Sequence, residues 1–327
     1  MSMLGTRFTK TLLGAAVVGA LSLGLTACGS SGSKDSAGGG SASSSAAKDG
    51  KDAKDGKRGI ETAFGRVEVP AEAKRIVALG DTALDTALSL GFTPVGTSSS
   101  RGGTTAPAYL KADGIPLVAT VKEPNIEAIL KANPDLILTS SSVEKSQYEQ
   151  LAAVAPTVVP KSGDWRSVLG VYGDALGHKD DLTAKLDALD KRAAKAGEGK
   201  SGSAVVMRWM PSGPIVMNTT NMPGELLKKA GAATLPIADD LGAQPHSDPL
   251  SLENLGKADA DRVFVATLNA EGEKALETAR SQPAFTRLKA VGAGQVAGVD
   301  GQVWSSSSGP IAAEKVVEDI EKAFGAK

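Results

Sequence analysis

The sequence predicts an α/β fold of two lobes joined by a long helix, with a crevice for a ligand between them. Three observations carry that expectation. Short apolar runs alternate with helical patterns from Arg75 onward; the same rhythm returns after Ser203; and the stretch between them shows helical periodicity with no strand signal. With 327 residues the chain is long enough for one large or two medium domains with proper cores.

In the first half, strands are expected at 75–79, 94–97, 116–120, 135–140 and 157–160, and helices at 82–90, 125–131 and 144–153. Asp81-Thr82 can cap the first of these helices. Asn133-Pro134 ends the second, because proline cannot continue a helix, and launches the apolar Leu136-Ile137-Leu138. In the second half, strands are expected at 204–210, 214–218, 262–267 and 295–299, with helices near 224–230, 252–257, 273–280 and 310–324. Between the halves, Leu182, Leu186, Leu189 and Ala193 share one helical stripe. The result is a pair of Rossmann-like lobes at 60–177 and 199–327 with an interlobe helix at 178–198. A helix resists bending, so lobe closure is expected to be small. Ligands of such sheets sit outside the carboxyl ends of the strands, and the residues to search lie there.

Residues 1–27 read as a signal peptide, with basic Arg7 and Lys10, an apolar run over 12–25, and small residues after it. The run is shorter than the roughly 20 residues a spanning helix needs. Leu25-Thr26-Ala27-Cys28 resembles the lipobox of bacterial lipoproteins, which implies lipid on Cys28, the one cysteine of the chain, and a place on the outer face of a cell membrane. Residues 28–59 are Gly, Ser, Ala, Lys and Asp with almost no apolar content, so a solvated tether is expected. Overall, 36 basic residues face 37 acidic ones, which gives no reason to expect nucleic-acid binding.

The order of motifs along 74–324 resembles the substrate-binding proteins of ABC importers, of the helical-backbone (class III) kind that serves iron-siderophore and cobalamin uptake. The stretches that carry the resemblance in the first lobe are Arg75-Ile76-Val77-Ala78-Leu79, Asn125-Ile126-Glu127-Ala128-Ile129 and Asn133-Pro134-Asp135-Leu136-Ile137-Leu138. In the second lobe they are Pro223-Gly224, Leu250-Ser251-Leu252-Glu253-Asn254-Leu255, Asp259-Ala260-Asp261-Arg262-Val263-Phe264, and Trp304 followed by Gly309-Pro310-Ile311-Ala312-Ala313. The resemblance implies a monomeric receptor, without a cofactor, that binds an iron(III)-siderophore and delivers it to an ABC permease. It also implies that Glu127 and Glu253, at matching helix starts, pair with arginines of that permease.

A ferric siderophore already surrounds its iron with oxygen donors, so a receptor recognises the outside of the complex. Arginine gives forked hydrogen bonds to its oxygens, and aromatic or methionine side chains cover its linkers. Residues of those types at strand ends are Arg208 and Met210, then Trp304, then Arg101 and Tyr109 after the second strand. In the resembling family, arginine at the Arg208 position often accompanies hydroxamate ligands, so hydroxamate is the favoured type; cobalamin and haem stay open. Trp209 alternates with Met207 and Val205, which places it in the core, and Trp165 at a helix start reads as packing. A bare metal ion would need converging ligands, and only His178 and His246 exist. An enzyme reading rests on Ser142-Val143-Glu144-Lys145, which fits S-x-x-K but lacks the K-T-G and S-D-N partners. A scaffold or sensor that uses the same fold without transport is the third reading.

Overall fold

A hairpin comes first in the computed structural model, which describes residues 56–325. Strands β1 (Lys57–Thr62) and β2 (Gly65–Pro70) pair antiparallel. Lys57, Arg58 and Gly59 thus lie in a strand, which corrects the expectation that the tether runs to Gly59. The reason is local. Ile60 and Val69 bury one face of the hairpin, and Arg58 donates from Nη1 to the Asp174 carbonyl (2.8 Å) and from Nη2 to that of Ala71 (2.8 Å).

The first sheet holds β3 (Ile76–Leu79), β4 (Gly96–Ser98), β5 (Leu117–Ala119), β6 (Leu136–Thr139) and β7 (Thr157–Val158), all parallel, in the order β5-β4-β3-β6-β7. Helices α1 (Asp81–Ser89), α2 (Ile126–Ala132) and α3 (Lys145–Ala152) connect its strands. Every residue of β3 and β6 is buried, as expected of a parallel sheet covered on both faces. Val77, Leu79 and Ile137 pack with Ile129 of α2 and Leu151 of α3. Ile76, Ala78, Leu136 and Leu138 face Leu84 of α1 and Leu169 of α4 (Trp165–Leu176).

Helix α5 (Lys179–Ala196) buries Leu182, Leu186, Leu189 and Ala193, the stripe expected from their spacing. It packs on α4 from the first lobe and on α6 (Met222–Lys229) and α12 (Pro310–Gly325) from the second. The second sheet runs β11-β10-β8-β9, formed by β8 (Ala204–Met210), β9 (Gly213–Val216), β10 (Arg262–Thr267) and β11 (Val296–Asp300). β8, β10 and β11 are parallel, while β9 turns back antiparallel on β8 through Pro211-Ser212. Short helices α7 (Pro236–Asp239), α9 (Pro283–Thr286), α10 (Lys289–Gly292) and α11 (Gly301–Ser305) and the longer α8 (Ala270–Arg280) complete this lobe. The helix expected near 252–257 forms as a 3-10 helix, Leu252–Ala258.

Candidate functional site

The first sheet begins at its centre. From β3 the chain moves outward to β4 and β5, then crosses back to β6, so loops leave the carboxyl ends of β3 and β6 in opposite directions and open a crevice. A cavity of about 180 Å³ lies there. Its lining includes residues 80–83 after β3, residues 98, 99 and 101 at and beyond the end of β4, residues 119–124 at and beyond the end of β5, and residues 139, 140 and 142 at and beyond the end of β6, with Ser306 from the second lobe. Gly80 turns the chain at φ 106° and donates its N–H to Ser98 Oγ (3.0 Å), which holds the first two loops together. Most of the polar lining is hydroxyl. Such groups donate and accept, and suit a ligand with many oxygens.

Arg208 sits on the second-lobe side, near the carboxyl end of β8 and on the strand face that carries Val206 and Met210. It is 7% exposed. Nη2 donates to Sδ of Met210 (3.4 Å), and Nε has no partner. Among the described residues no carboxylate lies within ion-pair distance of Arg208 or of Arg101. Burial, and then the nearby charge of Arg101, hold the Arg208 guanidinium below its ordinary pKa. Arg101 itself is exposed in the loop after β4, and that loop reaches the second lobe, where Gly102 lies against Leu268. The structure therefore puts Arg208 and Met210 in contact, with Arg101 near enough for its charge to be felt at Arg208, and Arg101 alone of the three lines the cavity.

A seam of hydrogen bonds joins the lobes beside this crevice. Asp81 accepts from Ser306 Oγ (3.1 Å), Thr82 Oγ1 from the Ser308 N–H (3.2 Å), and Ser100 Oγ from Gln302 Nε2 (3.0 Å). At its centre, Asp85 of α1 caps α12: Oδ1 accepts from Ile311 N (2.7 Å) and Oδ2 from Ala312 N (2.9 Å). Tyr109 Oη donates to the same Oδ2 (2.9 Å). Burial pushes the Asp85 carboxyl up to about 7 against those three donors, and raises the Asp81 carboxyl against Ser306 and the Arg101 N–H. The Tyr109 hydroxyl is raised as well, by burial and by Asp85. A Cβ at Gly309 would overlap the Asp85 carboxyl, so only glycine lets this cap close.

Two expected ligand contacts are thereby corrected. Tyr109 spends its hydroxyl on Asp85, and its ring packs on the main core. Trp304 is 1% exposed, because the single turn of α11 points it inward, where it stacks on Phe264 (4.6 Å) and donates to Asp319 Oδ2 (3.0 Å). Trp209 is in the core against Phe285, as its alternation indicates, and Trp165 packs at the interlobe helices, donating to Glu225 Oε2 (2.6 Å). Glu127 and Glu253 are both exposed, each in the first turn of its helix. Ser142 lines the cavity, but Lys145 turns to Glu149 and solvent, so the S-x-x-K pair does not assemble. His178 bonds Asp181 and His246 the Ser247 carbonyl; among the described residues no group of three metal-ligating side chains converges. Cys28 and the rest of the signal and tether region, up to residue 55, lie outside the described residues.

The hydroxyl-rich lining escaped the residue-type search for arginine and aromatics. A signal existed, since Ser98-Ser99-Ser100 and Ser140-Ser141-Ser142 are serine triplets directly at the ends of buried strands.

Comparison with known proteins places the chain among binding proteins. The family described as "Periplasmic binding protein" matches residues 76–303. "Probable siderophore-binding lipoprotein YfiY" of Bacillus subtilis (strain 168) is 32% identical over 284 residues, covering 82% of this chain and 87% of that one. "Fe(3+)-citrate-binding protein YfmC" of the same organism is 27% identical over 280 residues, covering 81% and 85%. Among solved structures, Staphylococcus aureus SirA complexed with staphyloferrin B superposes with a TM-score of 0.72 at 24% identity, covering 83% of this chain and 99% of that one, a likeness of fold. Among the described residues no helix is long and apolar enough to cross a membrane.

Proposed function

Because the chain belongs to the periplasmic binding protein family, we propose that it captures an iron(III)-siderophore outside the cell and hands it to an ABC permease. It is a binding protein and not an enzyme, in keeping with relatives that are named for binding along most of its length. The observation that supports the ligand assignment is the crevice at the carboxyl ends of the first sheet, lined mostly by hydroxyls and by Arg101, whose charge is felt at the buried Arg208 of the second lobe. Hydroxyls and guanidinium groups recognise an oxygen-rich exterior, and the iron needs no ligand from the protein. Arg208 at the end of β8 favours hydroxamate donors around the iron, whose oxygens carry partial negative charge. Met210 beside it covers an apolar linker.

Glu127 and Glu253 are the proposed docking points for the permease, one on each lobe, since both are exposed and neither has an ion-pair partner among the described residues. Charge reversal at both is expected to abolish uptake while leaving ligand affinity unchanged. Lipid on Cys28 is the proposed anchor of a monomeric receptor, and Cys28→Ala is expected to release a folded, ligand-binding protein into the medium. The central experiment titrates purified protein with ferric siderophores, haem and cobalamin, and follows tryptophan fluorescence and melting temperature. Submicromolar binding of a ferric siderophore is expected. No response to any ferric siderophore would overturn the proposal, and binding of haem or cobalamin would replace it.

A further inference from the structure

Resting on the reading of the crevice as a siderophore site, we propose that Gln302 of the second lobe is a positioning residue for the ligand, because it clamps the first-lobe loop 99–108 where that loop forms a wall of the crevice. The loop leaves the carboxyl end of β4, and its residues 99 and 101 line the cavity. Its far end returns to the first lobe at Tyr109, which Asp85 holds. Among the described residues, both hydrogen bonds that tie 100–108 to the second lobe come to one amide. Gln302 Nε2 donates to Ser100 Oγ (3.0 Å), and Gln302 Oε1 accepts from the Ala108 N–H (3.2 Å). A primary amide suits this task, since it offers a donor and an acceptor side by side.

Both sides of the clamp are themselves fixed. In the second lobe, Asp300 Oδ1 accepts from the Gln302 N–H (2.8 Å) and caps α11, which aims the amide at the loop. In the first lobe, the Ser100 N–H donates to the Thr105 carbonyl (2.8 Å), so residues 100–105 fold back into a compact turn. Ser100 is 1% exposed, and a Cβ at Gly103 would lie 2.9 Å from its Oγ. With glycine and threonine at 102–105, the turn has little apolar surface to bury, and its order depends on the hydrogen bonds that reach it. A wall that is ordered before the ligand arrives spares binding the cost of ordering it. Gln302 therefore acts on affinity from the opposite lobe, without a place in the cavity lining.

The test compares Gln302→Ala with the unmodified protein, with a hexadentate ferric trihydroxamate and ferric citrate as ligand probes, and reads hydrogen exchange of the 100–108 amides beside affinity and release rate. In the empty protein, exchange at the Ala108 amide is expected to rise at least about tenfold. Whichever probe the unmodified protein takes should bind about tenfold more weakly and leave faster, a loss the size of one net hydrogen bond. Gln302→Glu keeps an acceptor for Ala108 and gives one to the Ser100 hydroxyl, which turns to donate. At high salt, where its added charge is screened, it should bind within about threefold of the unmodified protein. Gly103→Ala presses a methyl group on Ser100 Oγ and should loosen the loop and weaken binding from the first-lobe side. If exchange at Ala108 does not change, there is no clamp. If the loop amides are freed while affinity is unchanged, or if the Glu variant binds as weakly as the Ala variant, the positioning role is overturned and the siderophore reading stands. If neither probe binds the unmodified protein, both fall.

Discussion

Asp85 and Arg208 are buried to nearly the same degree, one in each lobe, yet their surroundings are opposite. Asp85, at 0% exposure, accepts three hydrogen bonds, two of them from the N-terminus of a helix in the other lobe. Arg208, at 7%, has a thioether and an unpaired Nε. A buried polar group whose hydrogen bonds are met by the protein fixes geometry, because moving either partner strands the other. Whether a buried polar group is committed to partners, as Asp85 is, or left without them, as Arg208 Nε is, distinguishes the two residues more sharply than residue type does.

The largest effect expected from this contrast is at the seam. Asp85→Ala leaves the Ile311 and Ala312 N–H groups and the Tyr109 hydroxyl buried without an acceptor, and should lower the unfolding free energy by about 4 kcal/mol. Chemical denaturation measures it, and a loss under about 1 kcal/mol would mean that the lobes hold together without this cap. Gly309→Ala comes next. Its added methyl group must displace the Asp85 carboxyl, a case of overpacking with an expected cost of about 2 kcal/mol. An unchanged stability there would show that Asp85 has room to move.

A pH series examines the same carboxyl without moving it. Burial raises Asp85 from its ordinary 3.8 to about 7, so in the window between those values the folded protein holds a proton that the unfolded chain releases. The contribution of Asp85 is therefore fully present below about 3.8 and is lost as pH rises toward 7, at about 1.4 kcal/mol per pH unit where the two states differ by a whole proton. Asp85→Asn removes the titration, so the advantage of the unmodified protein over this variant should shrink as pH rises through that window. A constant difference across the window would show that the α12 N-terminus keeps the carboxyl ionised despite its burial.

How much of this was legible in the sequence depends on distance along the chain. The strands of both sheets and helix α5 could be read because apolar runs and the Leu182, Leu186, Leu189 spacing are local patterns. The β1–β2 hairpin gives a weak signal because β1 holds one apolar residue, Ile60, and its order comes from the burial of Ile60 and Val69 and from Arg58 reaching to Asp174. Trp304 was misplaced because a five-residue helix has no periodicity to show which way its side chains point. Asp85 gave a faint signal, as a carboxylate among Ala83, Leu84 and Ala87, but the α12 N–H groups it caps lie more than 220 residues away. Arg208 and Arg101 were identifiable as types at strand ends. Whether a type is free or committed is decided by neighbours that only the folded chain supplies.

The smallest effect has the opposite sign, and it bears on Arg208 most directly. If its guanidinium is an unpaired charge kept for a ligand, replacing it by an uncharged side chain of similar length should relieve the empty protein. Arg208→Met is expected to raise the unfolding free energy of the ligand-free form by about 1 kcal/mol, since exchanging buried charge for apolar volume is often stabilising. The side chain would sit beside Met210 and complete the apolar face begun by Val206. Gain of stability together with loss of affinity is the signature of a group selected for binding. Loss of both would place Arg208 with Asp85 among the residues that hold the lobes, and the division between seam and crevice would disappear.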